Sequence, residues 1–279
     1  MRIALLTAAA LVCFAANSIL CRLALAHGAI DPAGFTGLRM ASGALVLGLL
    51  ALRRPGARAA GRWSWWSAAA LLAYAAPFSY AYVSLGAGVG ALVLFAVVQA
   101  TMIGWGVARG DRPRLPVWLG LAIAMSGLIG LAAPGASAPD PIGVAMMAIA
   151  GAAWAAYTLR GRASPIDPVV ANAASFARTV PAAAVLVAAA AIAGQLSPSP
   201  RGAALAIISG AVASGVGYAL WYAALRGLTV ARAAILQLLV PVIAAAGGVL
   251  LLGETATLRL LLAGAAILGG VAIAVVGRS

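Results

Sequence analysis

Apolar residues run through this chain in stretches of about 20, broken by short clusters of Gly, Pro, Arg and Asp. At 1.5 Å per residue, a helix of that length crosses the about 30 Å hydrocarbon core of a bilayer. The pattern predicts ten membrane-spanning helices, at roughly residues 3–26, 33–52, 65–84, 88–107, 116–133, 141–160, 168–193, 203–225, 230–252 and 256–276. No room remains for a soluble domain. Arg2 and the "ALA" at Ala24–Ala26 give the first stretch the look of a secretory signal. Its length, its polar interruptions and the nine further spans argue against removal.

Composition agrees. With 65% apolar and 8% charged residues, the polar surface is too small to cover a globule, so the apolar surface faces lipid. The formal charge of +13 would suit nucleic acid, but its distribution sets topology instead. Arg53, Arg54, Arg58, Arg62, Arg109, Arg112, Arg114, Arg160 and Arg162 fall in alternate loops, together with Arg2, Arg226, Arg232 and Arg278. Only Arg201 and Arg259 fall in the opposite loops. The positive-inside rule makes the arginine-rich side cytoplasmic, with both termini there. Trp63, Trp65, Trp66, Trp105 and Trp118 lie at the cytoplasmic ends of spans three to five, as an aromatic belt would. Cys13 and Cys21, about 12 Å apart along one helix, cannot bridge each other. Abundant alanine and arginine without lysine points to a GC-rich bacterial genome, and so to a bacterial inner membrane.

Two weak internal matches fall in order. "FAANSILCR" at 14–22 aligns with "WAAYTLRGR" at 154–162. "SYAYVSLGAGVGALVLFAVVQ" at 79–99 aligns with "WYAALRGLTVARAAILQLLVP" at 221–241. They predict a duplication into residues 1–136 and 137–279, five spans each. An odd number of spans inserts the second half upside down, giving an all-α polytopic protein of two inverted five-helix repeats. That plan, with its short loops and the segment "PVIAAAGGVLLLGETATLRLLLAGAAILGGVAI" from Pro241 to Ile273, resembles the EamA-type ten-helix members of the drug/metabolite transporter superfamily. The signature of that repeat is a helical proline, then Gly-Glu, then a glycine-bearing last helix. The first half departs from it, with Gln99 in place of the proline and Gly110-Asp111 in place of Gly-Glu. Within the superfamily the aromatic content is most similar to bacterial exporters of aromatic amino acids. The resemblance implies alternating-access transport.

Polar groups inside a bilayer face protein or water, so they mark a path. Asn17 and Gln99 lie mid-span and suit either a zwitterion or a helix–helix hydrogen bond. Gln237 in span nine joins them. Tyr74, Phe78 and Tyr82 form one helix face, and Tyr218, Trp221 and Tyr222 another. Phe78 and Tyr82 are expected in the outer half, and Trp154, Tyr157, Trp221 and Tyr222 in the inner half. They would be two gates around a site between them, unless they are core packing. Pro77 and Pro241 break spans three and nine and are candidate hinges. Gly127 with Gly130, and Gly269 with Gly270, suggest close helix contact. Arg22 is placed to snorkel. Arg39 and Arg178, at comparable places in the two halves, are expected to meet helix carbonyls or lipid phosphate, and a substrate carboxylate is the other reading.

All five acidic residues and His27 map to loops or helix ends. No proton relay lies in a span, which favours facilitated diffusion. The absence of nucleophile–base or metal-ligand spacing argues against an enzyme, a metal or a cofactor. The chain reads as an inner-membrane exporter of amino acids, aromatic ones first, acting as a monomer or weak dimer. The alternative is export of other metabolites or lipophilic drugs, with proton coupling allowed.

Overall fold

The structure, a computed structural model, describes residues 2–54, 65–135, 138–162, 164–228 and 236–277. Arg58, Arg62, Trp63, Arg232, Arg278 and the expected 136/137 division lie outside these residues. Among the described residues every regular element is helical: α1 (Arg2–Leu25), α2 (Pro32–Leu52), α3 (Trp65–Ala81), α4 (Ala87–Ala108), α5 (Leu115–Ala132), α6 (Pro141–Arg162), α7 (Pro168–Ile192), α8 (Pro200–Leu225), α9 (Leu239–Leu252) and α10 (Leu258–Val276). Eight are long and apolar enough to cross a membrane. The exceptions are α3 with 17 residues and α9 with 14, the latter following the undescribed 229–235. The chain is a multi-pass helical membrane protein.

Local chemistry explains where the helices start. Asp31 and Asp167 each precede a proline at the first helical position and accept a backbone N–H in the first turn, from Gly34 at 2.7 Å and from Val169 at 2.9 Å. Proline fits there because that N–H has no intrahelical partner. Ser199 and Thr257 cap α8 and α10 in the same way. Gly253, at φ +66°, ends α9 in a left-handed conformation that its missing Cβ permits. Pro77 lies inside α3 without ending it, and Pro181 does the same in α7. Pro241 behaves differently. It has no N–H to offer the Gln237 carbonyl, and α9 starts only two residues before it, after a turn at Leu238.

Most helix contacts join early helices to late ones. The main pairs are α5 with α10, α2 with α7, α3 with α6, α4 with α6, α2 with α8, α1 with α8, α4 with α9, α1 with α9, and α3 with α7. The α5–α10 pair meets backbone to backbone. A Cβ on Gly120 would overlap the Gly270 carbonyl, one on Gly270 would overlap the backbone of Ala124, and one on Gly127 would crowd Ala266. Gly130 and Gly269 do not share this seam, because each faces open space. Their spacing on the helix points them to lipid, which the glycine pattern alone does not reveal.

Gly270→Leu is therefore expected to cost about 1–3 kcal/mol by forcing the two helices apart, whereas the neighbouring Gly269→Leu leaves stability unchanged. Thermal unfolding of both variants in detergent checks this.

Candidate functional site

Arg39, on the second turn of α2, has none of its surface exposed. The sequence suggested helix carbonyls or lipid phosphate as its partners, but the structure puts the guanidinium inside the bundle. Its Nη2 donates to the Tyr74 hydroxyl at 3.0 Å and its Nε to the Ser214 hydroxyl at 3.3 Å. The cation lies over the Phe78 and Tyr74 rings, 4.9 and 5.3 Å from their centroids. Such a position draws on the negative faces of the rings. Among the described residues Nη1 has no hydrogen-bond partner and no carboxylate pairs with Arg39. Arg178 is not its counterpart: it is half-buried, over the Trp65 ring and near the Ala174 carbonyl.

Ser214 comes from a π-helical stretch of α8, Ser209–Val216, whose hydrogen bonds run to the fifth residue. That wider turn brings Ser209 and Ser214, five apart, to one face, where both hydroxyls donate to Asn17 Oδ1 at 2.9 and 3.1 Å. On a regular α-helix they would point roughly 140° apart. The stretch also lies against α2 through Gly210, where a Cβ would overlap the Arg39 carbonyl. Asn17, Ser214, Arg39 and Tyr74 thus form one polar line across α1, α8, α2 and α3. Asn17 has the helix–helix hydrogen bonds that its amide allowed.

Tyr82, Phe78, Trp154, Tyr157 and Trp221, expected in two gates, belong to a single chain of ring contacts. Tyr82 meets Phe78 at 4.8 Å, Phe78 meets Tyr74 at 5.2 Å, Tyr74 meets Trp154 at 4.8 Å, and Trp154 meets Tyr218 at 5.5 Å. Tyr218 then meets Phe14 at 5.8 Å and Phe14 meets Trp221 at 5.7 Å. Tyr157 joins through Trp154, and its hydroxyl donates to Asn172 at 2.7 Å. Phe176 joins through Tyr218. Gln99 is buried on α4, and Gln237 is half-buried in the turn before α9. Among the described residues no hydrogen bond ties either amide to the ring chain. Phe14, Phe176, Ser209 and Ser214 escaped the sequence reading: the phenylalanines lacked a polar atom, and the serines lay on the wrong period.

Two cavities flank the ring chain. One of about 510 Å³ is bordered by Arg2, Arg54, Asp167, Tyr222 and Arg226. The other, of about 480 Å³, lies at the opposite end among Arg22, His27, Ser84, Glu254 and Arg259. Polar contacts cross-tie the second end. Arg22 pairs with Glu254 at 3.3 Å and donates to the Tyr82 and Val83 carbonyls, and Glu254 accepts the Ala87 N–H that starts α4. Arg22 therefore does not snorkel: a carboxylate 232 positions away holds it. Ser84 donates to Asp140 at 2.7 Å, a bond that, with the Gly143 N–H, holds this carboxyl below its ordinary range. The Ser84–Asp140 bond is therefore complete at neutral pH and weakens as pH falls through that lowered value. At the other end the described contact is looser, Arg226 to Asp167 at 3.9 Å with Arg226 largely exposed.

Tyr74→Phe is expected to cost about 1.5–3 kcal/mol, since it strips a charged donor of its acceptor. The same change in an Arg39→Met background should cost close to nothing. A double-mutant cycle read by thermal unfolding in detergent measures the difference.

The architecture has relatives. Residues 141–276 match the EamA-like transporter family. An uncharacterized protein of Pseudomonas aeruginosa is 50% identical over 99% of this chain and 96% of its own length. A solved crystal structure matches in fold over 98% of this chain and 99% of that chain, with a TM-score of 0.62 at 20% identity. Residues 141–276 of the chain thus form an EamA-like transporter family domain.

Proposed function

We propose that this transporter exports amino acids, aromatic ones first, from the bacterial cytoplasm by alternating access. The observation that carries this reading is the buried chain of rings between two cavities, interrupted by one desolvated cation. A path that an aromatic solute can share must offer ring faces along its length, and rings in tilted or edge contact can separate and re-form around another ring. All five carboxylates and His27 lie outside the helices, so the path offers no proton relay. Transport then runs down the solute's own gradient.

Alternating access follows from the two-repeat plan, residues 1–136 and 137–279, with ten spans in inverted halves. The helix pairings support it. If α1–α5 correspond to α6–α10, then α3 against α6 is mirrored by α8 against α1. Likewise α4 against α6 is mirrored by α9 against α1, and α2 against α8 by α7 against α3. The pairs α2–α7, α4–α9 and α5–α10 map onto themselves. Such a bundle can exchange the conformations of its halves and expose a midplane site to either side. The Arg22–Glu254 tie is the closed gate of one side, with Tyr82 and Phe78 below it. Trp154, Tyr157, Trp221 and Tyr222 line the approach from the other, which the arginine distribution makes cytoplasmic. Pro77 and Pro241 supply the hinges, Gln99 and Gln237 further contacts on α4 and before α9. The unit is a monomer or weak dimer in the bilayer.

Liposomes holding the purified protein should show saturable tryptophan flux that is the same with and without an imposed pH gradient. A stoichiometric proton flux, or no tryptophan flux from folded protein, would overturn this reading. The gate has its own reporter, because Cys21 is fully buried beneath Arg22 and Cys13 can be removed. In a Cys13→Ser background, Glu254→Gln should raise the rate of Cys21 modification by an impermeant thiol reagent about tenfold, corresponding to roughly 1.4 kcal/mol. An unchanged rate would mean that the tie is not a gate.

A further inference from the structure

Among the described residues Arg39 is a charge without a counter-ion. Several buried polar groups of the core are bonded within the bundle: Asn17 to two serines, Tyr157 to Asn172, Thr36 to Ser79 and Thr179 to the Ala68 carbonyl. The Ser67 hydroxyl is left unpartnered among the described residues, but it is neutral. Among the described residues Arg39 alone brings a fully buried positive charge to this region. Its Nε and Nη2 end on neutral hydroxyls, and its Nη1 ends on nothing among the described residues. An arginine cannot shed its proton to escape burial. A guanidinium in that position is completed by an oxyanion, and the fork of its nitrogens matches a carboxylate.

We infer that Arg39 is the anion-binding residue of the transport path, and that the solute must carry a carboxylate set next to an aromatic or apolar body. The inference deepens the exporter reading and rests on it for the path, but the binding chemistry stands on the geometry alone. A single desolvated cation selects a monoanion: a phosphate or nucleotide would need further basic groups, and Arg178 is half-buried against Trp65 instead. Tyr74 and Phe78 supply ring faces near the cation, and Trp154 and Tyr218 continue the ring chain from Tyr74. Ser214 and Tyr74 hold the guanidinium while the solute is absent, so a carboxylate entering between α2, α3 and α8 takes up Nη1 without first breaking an ion pair. A lipophilic cation is repelled from the same place, which excludes organic amines without a carboxylate as cargo.

Three indole probes separate these claims in detergent-solubilised protein: indole-3-propionate, its neutral amide, and tryptamine. Indole-3-propionate is expected to raise the unfolding temperature in a saturable way, and the amide to bind about tenfold to a hundredfold more weakly. Tryptamine should not bind. Arg39→Gln should erase the difference between acid and amide, and Arg39→Lys should restore part of it. Gel filtration and an unfolding transition show that each variant is folded. A merely structural arginine would shift the stability of all three mixtures alike. Equal binding of acid and amide to the natural protein, no binding of the acid, or unaltered discrimination in folded Arg39→Gln would overturn the inference. The exporter reading fails separately. Carboxylate binding at Arg39 without flux in liposomes would sink transport and keep the site, whereas tryptophan flux with the same KM in Arg39→Gln would sink the site and keep transport.

Discussion

Everything central in this bundle is arranged around one permanently charged side chain held in an apolar interior. Removing an ion from water costs several kcal/mol even after relaxation, and Arg39 has no surface exposure. Two aromatic faces and two hydroxyls meet that cost in part. They come from α3 and α8, so the charge binds the neighbouring α2 and α3 to a helix 175 positions away. The π-helical stretch of α8 follows from the same demand. Only its wider turn lets Ser209 and Ser214 both reach Asn17, while Ser214 also reaches Arg39. Asn17 in turn fixes α1 against α8.

The remaining features divide into those that hold the frame and those that can let go. Backbone contact at Gly120 and Gly270 makes the α5–α10 pair a rigid support. The ring chain is held by offset contacts of 4.8 to 5.9 Å, none of which needs a unique geometry. The Arg22–Glu254 tie joins α1 and the α3–α4 turn to the segment after α9. It is partly solvated, and such a pair can open and close at modest cost. Rigid seams beside releasable ones are what a carrier that alternates between two openings requires.

The apolar runs made the helices legible in the sequence. The aromatic residues were legible as a set because Tyr74, Phe78 and Tyr82 repeat every four positions. Their union into one chain was not, because it depends on Trp154 and Phe14 entering from other helices. Arg22 and Arg39 were misplaced for a common reason. Distance from a helix end suggests snorkelling or a carbonyl partner, but the partner of Arg22 lies 232 residues away and the burial of Arg39 depends on α3 and α8. The pair Ser209 and Ser214 could not be read on an α-helical period. Gly130 and Gly269 looked like seam residues because glycine spacing does not say which face a neighbour occupies.

The most direct measurement is a crystal structure of the protein grown with a bromine-labelled tryptophan, located by the anomalous signal of bromine. The account predicts the ring between α2, α3 and α8, its carboxylate about 3 Å from Arg39 Nη1. Bromine found only in the apolar groove lined by Leu11, Leu236 and Ile243, with Arg39 still unpaired, would contradict it.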